Sequence, residues 1–306
     1  MPAELVLGAV QLGLPYGAAN RTGQPSHAEA LRLVSCAVDC GISTFDTARA
    51  YGDSEDRLGE ALSARPVHMV TKLSPLTDLT EAATRESVRA AVDASIEHSL
   101  RALRRDRLDC LMLHRAAHRT SHRGAIWERL LEHLEDGSIL ALGVSVQTPP
   151  EALEALACPD IQHVQMPFNL LDWRWRQDGV IAAIASRPWV TIHVRSVFLQ
   201  GILAARDPSV WPRLKGVSAT QLIAHIDTLV EECGRSGPAD LCLAYARGQE
   251  WVGGVVVGME TEHQLQTNVE LFLRPPLSPQ ECRHVEARCP HVPEVLLNPA
   301  LWPARA

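Results

Sequence analysis

The sequence contains no Cys-x-x-Cys pair, no sustained run of lysine or arginine and no Gly-x-Gly-x-x-Gly turn. It also lacks an uninterrupted apolar stretch of the roughly 18 residues a membrane helix needs. Each absence removes a class of protein. The eight cysteines, at 36, 40, 110, 158, 233, 242, 282 and 289, have no metal-ribbon or thioredoxin-like spacing. Cys36 and Cys40 lie four apart on a predicted helix, as any two residues of one helical face do. In a chain of 306 residues without a signal peptide they read as reduced, mostly buried thiols, and the predicted location is cytoplasmic. Lysine plus arginine total 29 against 36 acidic residues, a net charge of −7, and a helix end explains the most basic segment, 101–107. Nucleic-acid binding needs a clustered basic surface that releases counterions, so it is not expected. No membrane span is expected either. A phosphate-binding loop is missing as well: Gly8 and Gly13 have its spacing, but Leu14 stands where lysine is required.

What the chain has is alternation. Short apolar runs read as strands at 5–10, 42–46, 67–72, 109–113, 139–144, 161–166, 189–194 and 254–257. Several are nearly continuous in apolar residues, such as the valines at 255–257, as parallel strands buried on both faces are. Helical periodicity fills the intervals, at 26–40, 53–64, 81–104, 123–136, 150–157, 176–186 and 261–272. The first helix opens on a capping box, Ser26-His-Ala-Glu29, and Gly41 ends it. Two more helices, 218–234 and 238–247, crowd the link before the last strand, and another, 278–288, follows it. Eight strand–helix units without a compositional break predict one domain over residues 1–306. The predicted fold is α/β, a single (β/α)8 TIM barrel with extra helices before and after the last strand. A doubly wound sheet is the alternative, but its phosphate-binding glycine signature is absent. Residues 290–306 form a proline-punctuated tail, a candidate cover for the barrel mouth.

In such a barrel the chemistry sits at the C-terminal ends of the strands. Strand 2 ends in Asp46, with Tyr51 five residues later in FDTARAYG; strand 3 ends in Lys72 and strand 4 in His114. Each has an ordinary alternative: a helix cap, a half-buried aromatic, a snorkelling charge, a core histidine. Their convergence argues otherwise, because a charge at the end of a buried apolar strand must be compensated. A lysine held by an aspartate beside a tyrosine favours the phenolate, and such a tyrosine can protonate a developing alkoxide. A histidine facing the same oxygen orients a carbonyl and stabilises charge as it forms.

This D-x4-Y pair with its strand-end lysine and histidine resembles the Asp–Tyr–Lys–His tetrad of the aldo-keto reductases. The segments LGAVQLGLPYG, YGDSEDRLGEAL, LGVSVQTPPEAL and VQMPFNLLD extend the resemblance over nearly the whole chain. HVRSVFLQGIL and VVVGMETEHQL are similar to a subgroup labelled as spore-coat polysaccharide biosynthesis-type aldo-keto reductases. The resemblance implies NADPH or NADH bound without a Rossmann motif, and hydride transfer to an aldehyde or ketone. It implies that Ser145 and Gln165 hold the nicotinamide carboxamide, and that Arg195 and Ser196 replace the stacking aromatic and its neighbour. Phe198, Gln200 and the stretch from Gly258 through Glu260 and Gln264 to Asn268 are implied to line the rest of the cofactor. Two departures stand out. Val146 follows Ser145 where the family has asparagine, and the positions for binding a 2′-phosphate carry Gly258, Glu260 and Gln264 rather than arginine or lysine. Phosphate recognition wants a cation, so NADH is favoured over NADPH.

Other signals are weaker. His114, His118 and His122, spaced by four, would form a metal face on a helix, but they follow a strand and read as loop residues; no metal is expected. Trp173, Trp175 and Trp211 fall in loops above the rim, where they could wall a sugar-like or flat substrate, with Gln11 and Tyr16 after strand 1 as further substrate candidates. The expected partner is a small carbonyl compound. Two rivals stay open: a redox-neutral dehydratase or epimerase using the same proton-transfer set, and a nicotinamide-sensing regulatory subunit.

Overall fold

A computed structural model describes residues 3–177 and 179–303. Eight parallel strands close into a barrel in chain order: β1 (Glu4–Gly8), β2 (Thr44–Asp46), β3 (His68–Lys72), β4 (Cys110–Leu113), β5 (Leu142–Ser145), β6 (His163–Pro167), β7 (Thr191–Arg195) and β8 (Gly254–Gly258). Closure runs through β1 and β8, which pair from Glu4↔Gly254 to Gly8↔Gly258. Closing the sheet removes every strand edge.

The outward side chains of the strands and the apolar faces of the surrounding helices make one continuous core, from Leu7 and Phe45 to Val255 and Leu265. A second, small cluster of Val70, Cys110 and Met112 fills the inside of the barrel. Other inward-facing positions are polar. Glu4 accepts a hydrogen bond from Thr44 (2.8 Å), His163 and His193 meet edge to face at 4.1 Å, and Asp46 and Lys72 form a buried pair higher up.

The capping box at Ser26 and Glu29 is formed and opens the helix His27–Asp39. The same motif starts Pro149–Ala157 (Thr148, Glu151) and Pro279–Arg288 (Ser278, Glu281), two caps the sequence reading passed over. The crowded link before β8 holds Ala219–Glu232 and Pro238–Arg247, as expected.

Boundaries shift where local chemistry overrides periodicity. Val10, expected at a strand end, opens the short helix Val10–Gly13. The helix expected from 81 begins at Arg85, because Thr84 caps the Ser87 amide. The helix expected at 176–186 breaks at Gly179 (φ +76) into Arg174–Gln177 and Val180–Ala185, with residue 178 outside the described residues. Strands β5, β6 and β7 each end one residue later than their apolar runs, putting Ser145, Pro167 and Arg195 on the strand tips.

The described part of the tail, residues 290–303, does not cover the mouth. Leu296 and Leu297 are buried against the body, Trp173 donates from Nε1 to the Val292 carbonyl (3.1 Å), and no described tail residue lines the cavity at the strand tips. A proline-rich segment with two buried leucines gains more by packing on the barrel's flank than by arching over an open, wet rim. Residues 304–306 of that predicted tail lie outside the described residues.

Candidate active site

The tips of β2, β3 and β4 bring the four sequence-predicted residues together. Lys72 is 1% exposed and Asp46 4%. The Lys72 ammonium donates to both Asp46 oxygens at 2.8 Å and to the Thr47 carbonyl at 2.9 Å. Its three protons are therefore all used, and the ammonium sits 5.2 Å from the centre of the Tyr51 ring. Burial works against the Lys72 charge, but the neighbouring Asp46 and Tyr51 outweigh it and raise its pKa above the ordinary lysine value. It stays a cation.

Tyr51 is carried by a tight turn, in which its amide donates to the Ala48 carbonyl (2.9 Å) and its carbonyl accepts from Ser54 (3.1 Å). This turn closes against Gly13. A Cβ there would stand 1.7 Å from the Tyr51 carbonyl oxygen, so only glycine lets the two loops meet. His114 lies edge-on to Tyr51, with ring centres 5.8 Å apart. Burial, then the cations Lys72 and Arg195, push its pKa down to about 4. At neutral pH the imidazole is uncharged. Its Nδ1 is buried without a partner, which leaves Nε2 as the nitrogen open to the cavity.

Asp46, Tyr51 and His114 sit at the floor of a cavity of about 860 Å³ that extends over the β7 and β8 tips. Of the residues assigned by resemblance to the cofactor, Ser145, Arg195, Ser196, Phe198, Gln200, Gly258, Glu260, Gln264 and Asn268 line it. Arg195 donates from Nη2 to the Val146 carbonyl (3.1 Å) and to Gln147 Oε1 (3.0 Å), so its guanidinium ties the β7 tip to the loop after β5. Gly258 faces Gln11, and a Cβ there would come within 2.2 Å of its amide. Burial raises the Glu260 carboxyl above the ordinary glutamate value, against the Gln264 and Gln11 amides that favour its charged form.

Gln165 is the exception. It is fully buried, does not line the cavity, and donates from Nε2 to Asp46 Oδ2 at 2.7 Å.

Of the substrate candidates, Gln11 and Tyr16 line the cavity, and the Tyr16 hydroxyl accepts from Gln200 (3.5 Å). The three tryptophans do not. Trp175 is wholly buried and donates to Asp172 (3.0 Å); Trp173 stacks on His291 at 4.0 Å; Trp211 is buried in the core. Large indoles gain most by full burial, and these loops fold them back onto the helices. His118 and His122 sit on separate 3-10 turns, Ala116–Arg119 and Ser121–Gly124, so the three histidines share no helical face.

Sequence reasoning missed Gln147, which anchors Arg195, and Thr47, which holds Lys72 through its carbonyl. Gln147 follows a strand tip and was findable by the rule that found the others. A backbone carbonyl leaves no trace in the sequence.

The model of the aldo/keto reductase family matches residues 4–288. The chain belongs to the aldo/keto reductase family. It is 35% identical over 102 residues to the uncharacterized oxidoreductase YcsN of Bacillus subtilis, a match covering 29% of the chain and 34% of that protein. It is 32% identical over 127 residues to an aldo-keto reductase of Mycolicibacterium smegmatis, covering 40% of the chain and 41% of that protein. These alignments thus span well under half of either relative. Aldo-keto reductase AKR11C1 from Bacillus halodurans, in its holo form, superposes with a TM-score of 0.73 over 95% of this chain and 93% of its own, at 22% identity. That likeness is one of fold.

Proposed function

We propose that this chain reduces an aldehyde or ketone to the alcohol at the expense of a reduced nicotinamide cofactor, with Tyr51 as general acid. The observation that carries the reading is the buried Asp46–Lys72 pair set beside Tyr51, with a neutral His114 edge-on at the same cavity floor. The Lys72 ammonium lies 5.2 Å from the centre of the Tyr51 ring, beside the site where negative charge develops in the reaction. Asp46 keeps that cation in place. His114, neutral and open through Nε2, donates a hydrogen bond to the carbonyl oxygen, positions it and stabilises negative charge as it grows. Tyr51 then delivers its proton to the same oxygen.

The cavity, of about 860 Å³, is large enough for a dinucleotide. Bound there, the reduced nicotinamide supplies the hydride. Ser145 and Arg195 are the residues to seat its ring end, since a planar guanidinium can stack on a flat ring as an aromatic side chain does. Ser196, Phe198 and Gln200 would flank the middle of the cofactor, and Gly258, Glu260, Gln264 and Asn268 its adenosine end. With a carboxylate at Glu260 and no arginine or lysine at 258 or 264, that end suits a free ribose hydroxyl better than a phosphate. The cofactor is then NADH. Gln11 and Tyr16 are the substrate candidates that remain. With the tryptophans out of the cavity, the argument for a stacked sugar-like substrate falls away.

Titration of the chain with NADH and NADPH, followed by quenching of its seven tryptophans, tests this reading. Saturable binding, tighter for NADH, is expected. Binding of neither would refute the reductase reading; tighter binding of NADPH would refute the inference from Glu260.

A further inference from the structure

We propose that the carbonyl substrate carries a carboxylate, received by the Arg115 guanidinium beside His114 on the β4 side of the cavity. The inference rests on the reductase reading above. Two arginines line the cavity, Arg115 in the loop after β4 and Arg195 at the β7 tip. Neither has a carboxylate partner among the described residues. Arg195 is pinned by neutral oxygens, those of Val146 and Gln147, so its charge stays uncompensated. Arg115 makes no side-chain hydrogen bond among the described residues, and its whole donor fork is free. Its backbone is extended (φ −127, ψ 127), directly before the turn Ala116–Arg119. The next arginine of the same loop, Arg119, is paired instead, with Glu154 at 3.8 Å.

The charge balance of the cavity points the same way. Three carboxylates line it, and each is committed elsewhere. Asp46 is spent on Lys72, and that buried pair is neutral as a whole. Glu151 accepts the Gln147 and Thr148 amides at 2.6 and 3.1 Å, as the cap of Pro149–Ala157. Glu260 stands past the β8 tip, next to Gln264 and Gln11. The wall around His114 therefore holds two cations without a facing anion, and both help to push the His114 pKa down to about 4. The chain as a whole carries −7, so its composition alone gives no surplus of positive charge there. A cleft lined by one sign focuses the field and gathers ligands of the opposite charge. A guanidinium fork matches a planar carboxylate through two parallel hydrogen bonds. Hydride transfer leaves the carboxylate unchanged, so its contact with Arg115 acts on binding and on which end of the substrate meets His114.

The test uses the full chain and follows NADH oxidation with 3- and 4-carboxybenzaldehyde, each against its neutral isostere, the carbamoylbenzaldehyde. The amide withdraws electrons from the aldehyde more strongly, so a preference for the acid has to come from the site. Wild type is expected to favour the acid about tenfold in kcat/KM in at least one pair, through KM, the worth of a hydrogen bond to a charged group. Arg115→Gln should bring that ratio to within about twofold of one, and Arg115→Glu should reverse it. Arg115 is exposed and without partners, so both variants should melt with the wild type. NADH affinity, read by tryptophan quenching, should change by no more than about twofold in Arg115→Gln. If wild type reduces these aldehydes without preferring the acid in either pair, or if Arg115→Gln keeps the preference, the inference is overturned. A loss of NADH affinity of about tenfold in Arg115→Gln also overturns it, since the arginine then serves the cofactor. A wild-type chain that binds neither nicotinamide cofactor overturns the reductase reading instead.

Discussion

Removing one member of the Asp46–Lys72 pair should destabilise the barrel far more than removing both. The two side chains are 5% and 1% exposed and 2.8 Å apart. At that separation, with an effective dielectric constant near 20, their attraction is about 6 kcal/mol, offset by several kcal/mol of lost hydration for each ion. The pair is close to balanced as a whole. Lys72→Met alone leaves the Asp46 carboxylate buried with Gln165 as its remaining side-chain donor, at a cost of about 3–5 kcal/mol. For a chain of 306 residues, unfolding entropy scales such that 1 kcal/mol moves Tm by roughly 1.6 °C, so the drop is about 5–8 °C. Asp46→Asn strands the Lys72 ammonium and should lose a similar amount. The double variant, with no buried charge, should return to within about 2 kcal/mol of wild type while turnover stays lost. Thermal denaturation of the four proteins, beside NADH oxidation at pH 7, reads both effects. If the double variant lost as much stability as the two singles added together, the pair would not be a coupled buried unit and the reasoning would fail.

Three further outcomes follow from the same geometry. Gly13→Ala puts a Cβ 1.7 Å from the Tyr51 carbonyl oxygen and 2.8 Å from the Ser54 amide, both backbone atoms that cannot step aside. It should cost about 1–3 kcal/mol in denaturant unfolding and displace Tyr51 enough to lower kcat about 100-fold; wild-type turnover would show that the turn is not rigid. Glu260→Lys should raise the affinity for NADPH about tenfold relative to NADH, and an unchanged ratio in a fluorescence titration would remove Glu260 from the adenosine end. Because the His114 pKa is depressed to about 4, the imidazole is neutral above that value and gains a proton only as pH falls through it. The kcat/KM profile should therefore show no limb near the ordinary histidine value, and a limb near 6.5 that disappears in His114→Gln would contradict the assignment.

The barrel was legible because burial on both faces leaves a strong mark: the valines at 255–257 and the apolar run of β4 read as buried parallel strands, and eight such runs alternating with helices close most simply into a barrel. The tetrad was legible for a related reason, since Asp46 and Lys72 are charges at the ends of such runs and must find each other. What escaped depends on contacts remote in sequence. Val10 continues the apolar run of β1, and only the packing of the following turn makes it helical. Trp173, Trp175 and Trp211 stood in the right loops, but Trp173 turns onto His291, 118 positions along the chain, and Trp175 and Trp211 turn into the core, partners that the local sequence does not specify. Gln165 stood at a strand end like Ser145 and Arg195. Its partner lies across the barrel, and no spacing along the chain shows a contact between residues 119 positions apart.

The central claim is that Tyr51 is the proton donor of a nicotinamide-dependent carbonyl reduction, and a single-turnover comparison of wild type with Tyr51→Phe tests it most directly. Each protein is loaded with NADH, its binding measured by tryptophan quenching, and then mixed with 4-nitrobenzaldehyde. The account predicts NADH affinity equal to within about twofold and oxidation slower by roughly 100- to 10,000-fold in the variant. Oxidation at the wild-type rate by Tyr51→Phe would contradict it.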